Sequence, residues 1–240
     1  MAARPEPRPA THDLLHLLLA YSGLDAFLSA LAERTGRRLA PLGRPDAALA
    51  LYRRNRPVLT AGGASSLVRL TRERLADDDA YLASALEHSR SASEERLPEA
   101  WASGIAWGVD AGLFVAPVAA GPTATAALVL VGTPPAGAAA RRAALALLGR
   151  ARNEASWALR MAVRLADEAD LAEHRAHAMQ NRTVIDVAIG AIMAQSRCSA
   201  DEAFDVLRRA SNNRNVKLHT VAAELVQRIH PVLPQTAFAD

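Results

Sequence analysis

Residues 112–131 read GLFVAPVAAGPTATAALVLV. They set the class of the N-terminal part of the chain. Two runs, Gly112–Val118 and Ala124–Val131, are apolar almost throughout, with Gly121-Pro122 between them as a turn. A sheet with one wet face would alternate apolar and polar residues. The lack of alternation predicts central strands covered on both faces. Ala124–Val131 is also the longest apolar run, and it falls far short of the ~20 residues that a membrane helix needs. No membrane contact is expected.

Upstream, short elements alternate with turn residues. DLLHLLLA over 13–20 is helical in period, and Gly23 breaks it. LDAFLSALAERT over 24–35 is amphipathic, with Leu24, Phe27, Leu28 and Leu31 on one face and Gly36 as its stop. Arg38–Leu42, Ala47–Tyr52 and Pro57–Ala61 read as β-like runs, punctuated by Gly43, Pro45 and Gly62-Gly63. Leu67–Ser89 is mostly helical, and 90–100 reads as a loop. Trp101 and Trp107 flank a helix-to-strand junction. With Phe114 they are candidates to line a pocket for an unknown small molecule, or simply to pack the core.

Downstream, Pro134, Pro135 and Gly137 close the domain. From Ala138 to Gln180 there is no proline and one glycine, which predicts one long helix. Leu145, Leu148, Arg152, Ala155, Leu159, Ala162, Ala166 and Ala169 recur three and four apart. That is a heptad-compatible seam interrupted by Arg152, and it suits a coiled-coil homodimer or a helix lying on its own domain.

Half of the 240 residues are apolar and aromatics are scarce, so helices that approach closely are favoured over a large sandwich. The single cysteine, Cys198, excludes an internal disulfide and suits a reducing, cytoplasmic setting. MAARPEPRPA lacks the apolar run of a signal peptide. His12 and His16, or His174 and His177, have metal-compatible spacing but no third ligand nearby, so no metal site is expected. Asp77-Asp78-Asp79 reads as a charge complement to the helix that follows. No nucleophile–base–orienter set, paired acids or phosphate loop is visible, so neither an enzyme nor a cofactor is expected.

Three helices are legible between Met179 and Ile229. The first carries Ile185, Ala188, Ile189, Ile192 and Met193 on one face. Ser199-Ala-Asp-Glu202 is a capping box opening the second, where Ala203, Val206, Leu207 and Ala210 point inward and SNNRN (211–215) ends the helix. The third carries Leu218, Val221, Ala222, Leu225 and Val226, and Pro231 stops it. Between His174 and Arg228 stand eight bases and five acids. The segment Ser211-Asn212-Asn213-Arg214-Asn215-Val216-Lys217 concentrates amides and cations, the groups that contact base edges and phosphates; a helix end followed by a turn favours the same residue types. Lys217 is the sole lysine.

The string RTVIDVAIGAIMAQSRCSADEAFDVLRRASNNRNVKLHTVAAELV, from Arg182, resembles an ANTAR domain. The resemblance rests on Arg182, Ile185, Ala188, Gly190, Ile192, Met193, Glu202-Ala203-Phe204, Leu207, Ser211, Asn215, Leu218 and Val221-Ala222. The part before it resembles, more loosely, a GAF-like sensor domain of the kind that precedes ANTAR in actinobacterial proteins, or a related PAS-type fold.

The resemblance implies an α+β chain in five parts. These are an arm over 1–10, a GAF-like α/β sensor over 11–135, a long linker helix over 138–180, a three-helix ANTAR bundle over 181–230 and a tail over 231–240. It further implies transcription antitermination by a dimer that binds paired hairpins in nascent mRNA leaders. The RNA-binding candidates are Arg182, Arg197, Arg208, Ser211, Asn212, Arg214, Asn215 and Lys217.

One departure stands out. Where the family commonly carries Gln and Lys around the alanine, this chain has Val187 and Ile189. The first helix of the bundle is then apolar nearly all round and is expected to be buried on more than one side. Two rival readings follow: a DNA-binding factor using a helix-turn-helix variant, and a protein-interaction regulator that has lost RNA binding.

Overall fold

The computed structural model describes residues 10–21, 23–102, 107–108 and 110–229. Residues 1–9, the tail over 231–240 with Pro231, and the side chains of residues 10–13, His12 among them, lie outside the described residues. The chain divides into two compact units, Met1–Asp167 and Glu168–Asp240.

The first unit is built on a five-stranded antiparallel sheet in the order β2-β1-β5-β4-β3. Its strands are β1 (Asp46–Arg53), β2 (Leu59–Gly62), β3 (Ala92–Glu94), β4 (Gly112–Ala119) and β5 (Ala124–Gly132). The apolar run over 124–131 becomes β5, the centre of the sheet. Ala126, Leu128 and Leu130 face one core, while Ala127, Val129 and Val131 face the other. Two-sided burial is why this segment shows no alternation.

Helices α1 (Ala10–Ala20), α2 (Leu24–Leu39) and the first half of α6 (Ala138–Ser196) contribute to the first core; α3 (Ser65–Ala76), α4 (Ala80–Leu86) and α5 (Glu99–Ala102) contribute to the second. The buried hydroxyls are satisfied locally. Thr35 and Thr71 donate to the carbonyls of Leu31 and Leu67, and Ser156 Oγ accepts the Ala119 N–H at 3.1 Å.

Several expectations need correction. Ala10, placed in the arm, opens α1. Gly36 does not stop α2, which runs on to Leu39. A Cβ at Gly36 would meet Ala47 at 3.7 Å, an ordinary packing contact, so the glycine sits in the helix where α2 approaches β1. The chain turns instead at Gly43 (φ 89), after a 3-10 turn over Ala40–Leu42. Arg38–Leu42 is therefore helical rather than β-like. The loop over 90–100 contains β3, which pairs with β4.

Asp79 caps α4, accepting the N–H groups of Tyr81 and Leu82, and its second oxygen accepts Trp101 Nε1 at 2.9 Å. Trp101 is fully buried in the second core, and Trp107 donates to Asp46 at 2.7 Å. Neither lines the apolar cleft of about 270 Å3 that Phe114 borders with Leu145 and Leu148. The three aromatics do not converge on one pocket.

The long helix shows the largest difference. Rather than ending near Gln180, α6 is one helix of 59 residues. Nothing in Gln180-Asn181-Arg182-Thr183 breaks it, because it contains neither proline nor glycine. The seam residues Ala155, Leu159 and Ala162 are buried against the chain's own sheet, with Ala151, Ala158 and Val163, whereas Leu145 and Ala169 are exposed. That half of the seam serves the first unit.

Ion pairs fix α6 in place. Arg38 of α2 forks onto Glu154 (2.9 and 3.3 Å). Arg53, at the end of β1, donates to Asp167 at 2.6 Å, and Thr123 donates to the other oxygen at 2.7 Å.

Burial pushes the Asp167 carboxyl up, but the Thr123 and Arg53 hydrogen bonds outweigh it and hold the group below its ordinary value. A depressed carboxyl stabilises the fold above its unfolded pKa, about 4, and that contribution is lost as pH falls through the folded value. Asp167→Asn is therefore expected to destabilise the first unit by about 1–2 kcal/mol at neutral pH. In denaturant titrations the gap between wild type and variant should close below about pH 4. A gap that stays constant with pH would remove Asp167 from this role.

Candidate nucleic-acid interface

The second unit is a three-helix bundle made by the end of α6, α7 (Ala200–Arg214) and α8 (Leu218–Ile229). Its core is Val184, Ala188, Ile192, Ala203, Leu207, Val221, Ala222 and Val226. The i, i+4, i+8 line of α6 points inward as the periodicity requires, with Ile185 and Ile189 half-buried beside it. The expectation of burial on more than one side fails for α6. Val187 is 41% exposed and Met193 37% exposed. Val206 of α7, expected inside, is also exposed, because the inward stripe of α7 runs through Ala203, Leu207 and Ala210.

Local chemistry fixes both connections. At Arg197 (φ 53) the chain enters the left-handed region and leaves α6, with the Arg197 N–H donating to Met193 O at 2.9 Å. Ser199 and Glu202 then form the capping box. The Ser199 N–H donates to Glu202 Oε2 at 2.8 Å, and Ser199 Oγ accepts the Glu202 N–H at 3.3 Å. The Ser199 backbone bond holds the Glu202 carboxyl below its usual value.

At the far end, Ser211-Asn212-Asn213-Arg214 does not break α7; it is its last turn. Asn215 (φ 51, ψ 42) is the breaker. The Val216 N–H bonds Ser211 O and the Asn215 N–H bonds Asn212 O, both at 3.2 Å, the pattern of a Schellman closure. Val216 packs on the bundle core and Ser211 Oγ donates to Val216 O at 2.6 Å.

The eight candidates are therefore placed as follows. Arg182 is exposed on α6 with Asp186 at 3.9 Å. Arg197 is exposed at the α6–α7 joint. Arg208 pairs with Asp205 at 2.8 Å. Ser211 and Asn215 carry the turn through the bonds just given. Asn212, Arg214, Asn215 and Lys217 are exposed within one helix end and turn.

Arg214 forks onto Glu224 of α8 at 2.6 and 3.1 Å, which ties α7 to α8 and lowers the Glu224 pKa. No periodicity links positions 214 and 224, so this pair is not legible before the fold brings the two residues together. Among the described residues, Arg197 and Lys217 have no carboxylate partner. Gly190 lies on the exposed side of α6, and a Cβ there would meet nothing within 4 Å.

A family model matches this same region of the chain. Residues 173–226 match the ANTAR domain. ANTAR domains are RNA-binding antitermination modules. The matched span takes in the last part of α6, the whole of α7 and most of α8, so the ANTAR match and the three-helix core coincide. No curated protein matches the chain. One solved structure, an RNA-binding light-oxygen-voltage receptor, is 18% identical and covers 75% of this chain and 46% of that one, with a TM-score of 0.26. This chain thus spans less than half of that receptor's length. No described helix is long and apolar enough to cross a membrane.

The turn that closes α7 of the ANTAR domain depends on a residue that tolerates left-handed backbone. Asn215→Ala is expected to destabilise the bundle by about 1 kcal/mol, and Asn215→Gly to be neutral or slightly stabilising. Chemical denaturation of the full chain followed by helical circular dichroism measures both. Equal loss in the two variants would mean that the Asn215 side chain, rather than its backbone, holds the turn.

Proposed function

We propose that this chain is a signal-responsive transcription antitermination regulator of the GAF–ANTAR type. It acts in the cytoplasm as a homodimer and binds paired hairpins in mRNA leaders through residues 173–226. The ANTAR match over those residues carries the reading. The exposed turn supports it, since amides at Asn212 and Asn215 and cations at Arg214 and Lys217 suit looped-out bases and phosphates.

Two departures from local rules point the same way. A glycine inside a helix costs about 1 kcal/mol relative to alanine, and Gly190 has no steric need for it within this chain. A left-handed arginine at 197 is strained where glycine would not be. Both residues are explained if they serve an RNA contact.

The five-stranded antiparallel sheet between helices supports a GAF-like sensor. Because α6 runs unbroken out of the first unit, a ligand bound there would act on dimerisation or on the RNA surface. Pairing of two copies would use α6 beyond Asp167, where Leu171 and Met179 are exposed, since Ala155, Leu159 and Ala162 are already covered.

Gel-shift titration of the full chain with a two-hairpin RNA and with duplex DNA, each over a salt series, tests the reading. RNA is expected to win. Lys217→Gln should weaken RNA binding across sequences and reduce the salt slope by roughly 0.7–1. Gly190→Ala and Arg197→Gly should each stabilise the bundle by up to about 1 kcal/mol while weakening RNA binding. Duplex DNA bound as tightly as RNA, or wild-type RNA affinity in all three variants, would sink it.

A further inference from the structure

Arg152 is the residue that interrupts the apolar seam of α6. With Ser156 and Arg160 it falls at i, i+4 and i+8, one stripe along the helix. That stripe lines an open cleft of about 480 Å3 together with the end of α4, Ser89 and the residues around the turn that joins β4 to β5. No acid lines this cleft.

Among the described residues, neither arginine pairs with a carboxylate. Arg160 Nε donates to Ser156 O at 3.2 Å, and the residue is exposed. Acids are not scarce on this helix. Glu154 is engaged by Arg34 and Arg38, and Asp167 by Arg53. Arg152 and Arg160 thus border the cleft without a carboxylate partner among the described residues.

Arg152 is half-buried, so its charge is only partly solvated and favours an anion beside it. Planar guanidinium forks suit phosphate and carboxylate oxygens. Ser156 accepts from Ala119, which leaves its own O–H to donate, and Asn153 adds an amide on the same wall. Pro117, Val118 and Leu86 supply an apolar surface for an organic body. The size lies within the usual range of small-molecule pockets. By contrast, the cleft bordered by Phe114 carries Glu94 and Glu95, and its arginine, Arg141, is already paired with Glu95 at 2.7 Å.

We propose that the cleft between α6 and the β4–β5 turn, with Arg152 and Arg160 as its anion-holding residues, binds a small organic oxyanion bearing phosphate or carboxylate groups. The site lies wholly in the first unit, and its failure would leave the RNA reading untouched.

Titration calorimetry of the full chain, at ionic strength held constant with sodium chloride, tests it with pyrophosphate, citrate and a nucleoside 5′-monophosphate as probes. Saturable binding of at least one is expected. It should weaken by about tenfold in Arg152→Gln and in Arg160→Gln, and stay unchanged in Arg150→Gln, an exposed arginine outside the cleft. Pyrophosphate or nucleotide binding without citrate assigns a phosphate ligand, and citrate alone assigns a carboxylate. The proposal is overturned if no probe gives heat above the matched salt, if both Gln variants bind as wild type does, or if Arg152→Gln lowers hairpin-RNA affinity while no small anion binds.

Discussion

Burial of one stripe of α6 in the first core is the constraint from which most of the first unit follows. Ala151, Ala155, Ala158 and Ala162 lie on that stripe, and Leu159 and Val163 enter the same core as Leu49 and Leu128. Long polar side chains on such a stripe would be buried without partners. Glu154 and Asp167 sit at the flanks of the contact, where Arg38 and Arg53 meet them. Arg152 cannot enter the core either, and it emerges at the cleft beside the β4–β5 turn. The contact also decides how much of α6 is left for other work. Up to Val163 the inner stripe is occupied; beyond Asp167, nearly every position to Arg182 is exposed.

The second unit relies on a different device. Its core is small, so connections matter as much as burial. Both joints turn on a left-handed residue, Arg197 and then Asn215, and each is tied by backbone bonds to the helix before it. The capping box at Ser199 and Glu202 starts α7 where the first joint ends. The Arg214–Glu224 fork then fastens the end of α7 to α8. It is an exposed pair, so it adds geometry more than energy. Its effect is to hold the turn carrying Asn215 and Lys217 in one orientation relative to α8.

What was legible in the sequence was whatever is written in local period or local chemistry. The two-sided strands over 112–131, the capping box and the inward stripes of α7 and α8 are of this kind, apart from the exposed Val206. Three things were not legible, each for a physical reason. Gly36 has the composition of a helix stop, but tertiary packing on β1 overrides the propensity. The fusion of linker and bundle into one α6 leaves no mark, because a helix that continues has no signal other than the lack of a breaker. Long-range pairs such as Arg53–Asp167 and Arg214–Glu224 join residues whose separation obeys no period, so only the fold brings them together. Among the candidate interface residues, amino-acid type suggested which could touch RNA. It could not tell that Ser211 and Asn215 already shape the turn while Lys217 stays unpaired.

A fold accounts for its residues unevenly, and the uneven part is informative. Ser199, Glu202, Val216 and Asn215 each satisfy a demand made by their own helix ends. Gly190, Arg197 and Lys217 satisfy none. The first weakens a helix where alanine would fit, the second holds a strained backbone where glycine would relax, and the third presents a charge to no acid among the described residues. For Gly190 and Arg197, alanine and glycine respectively would suit the local backbone better. All three fall inside residues 173–226, the segment that matches an RNA-binding domain. In the first unit, Arg152 and Arg160 are the arginines that border the cleft beside the β4–β5 turn, and neither meets a carboxylate among the described residues.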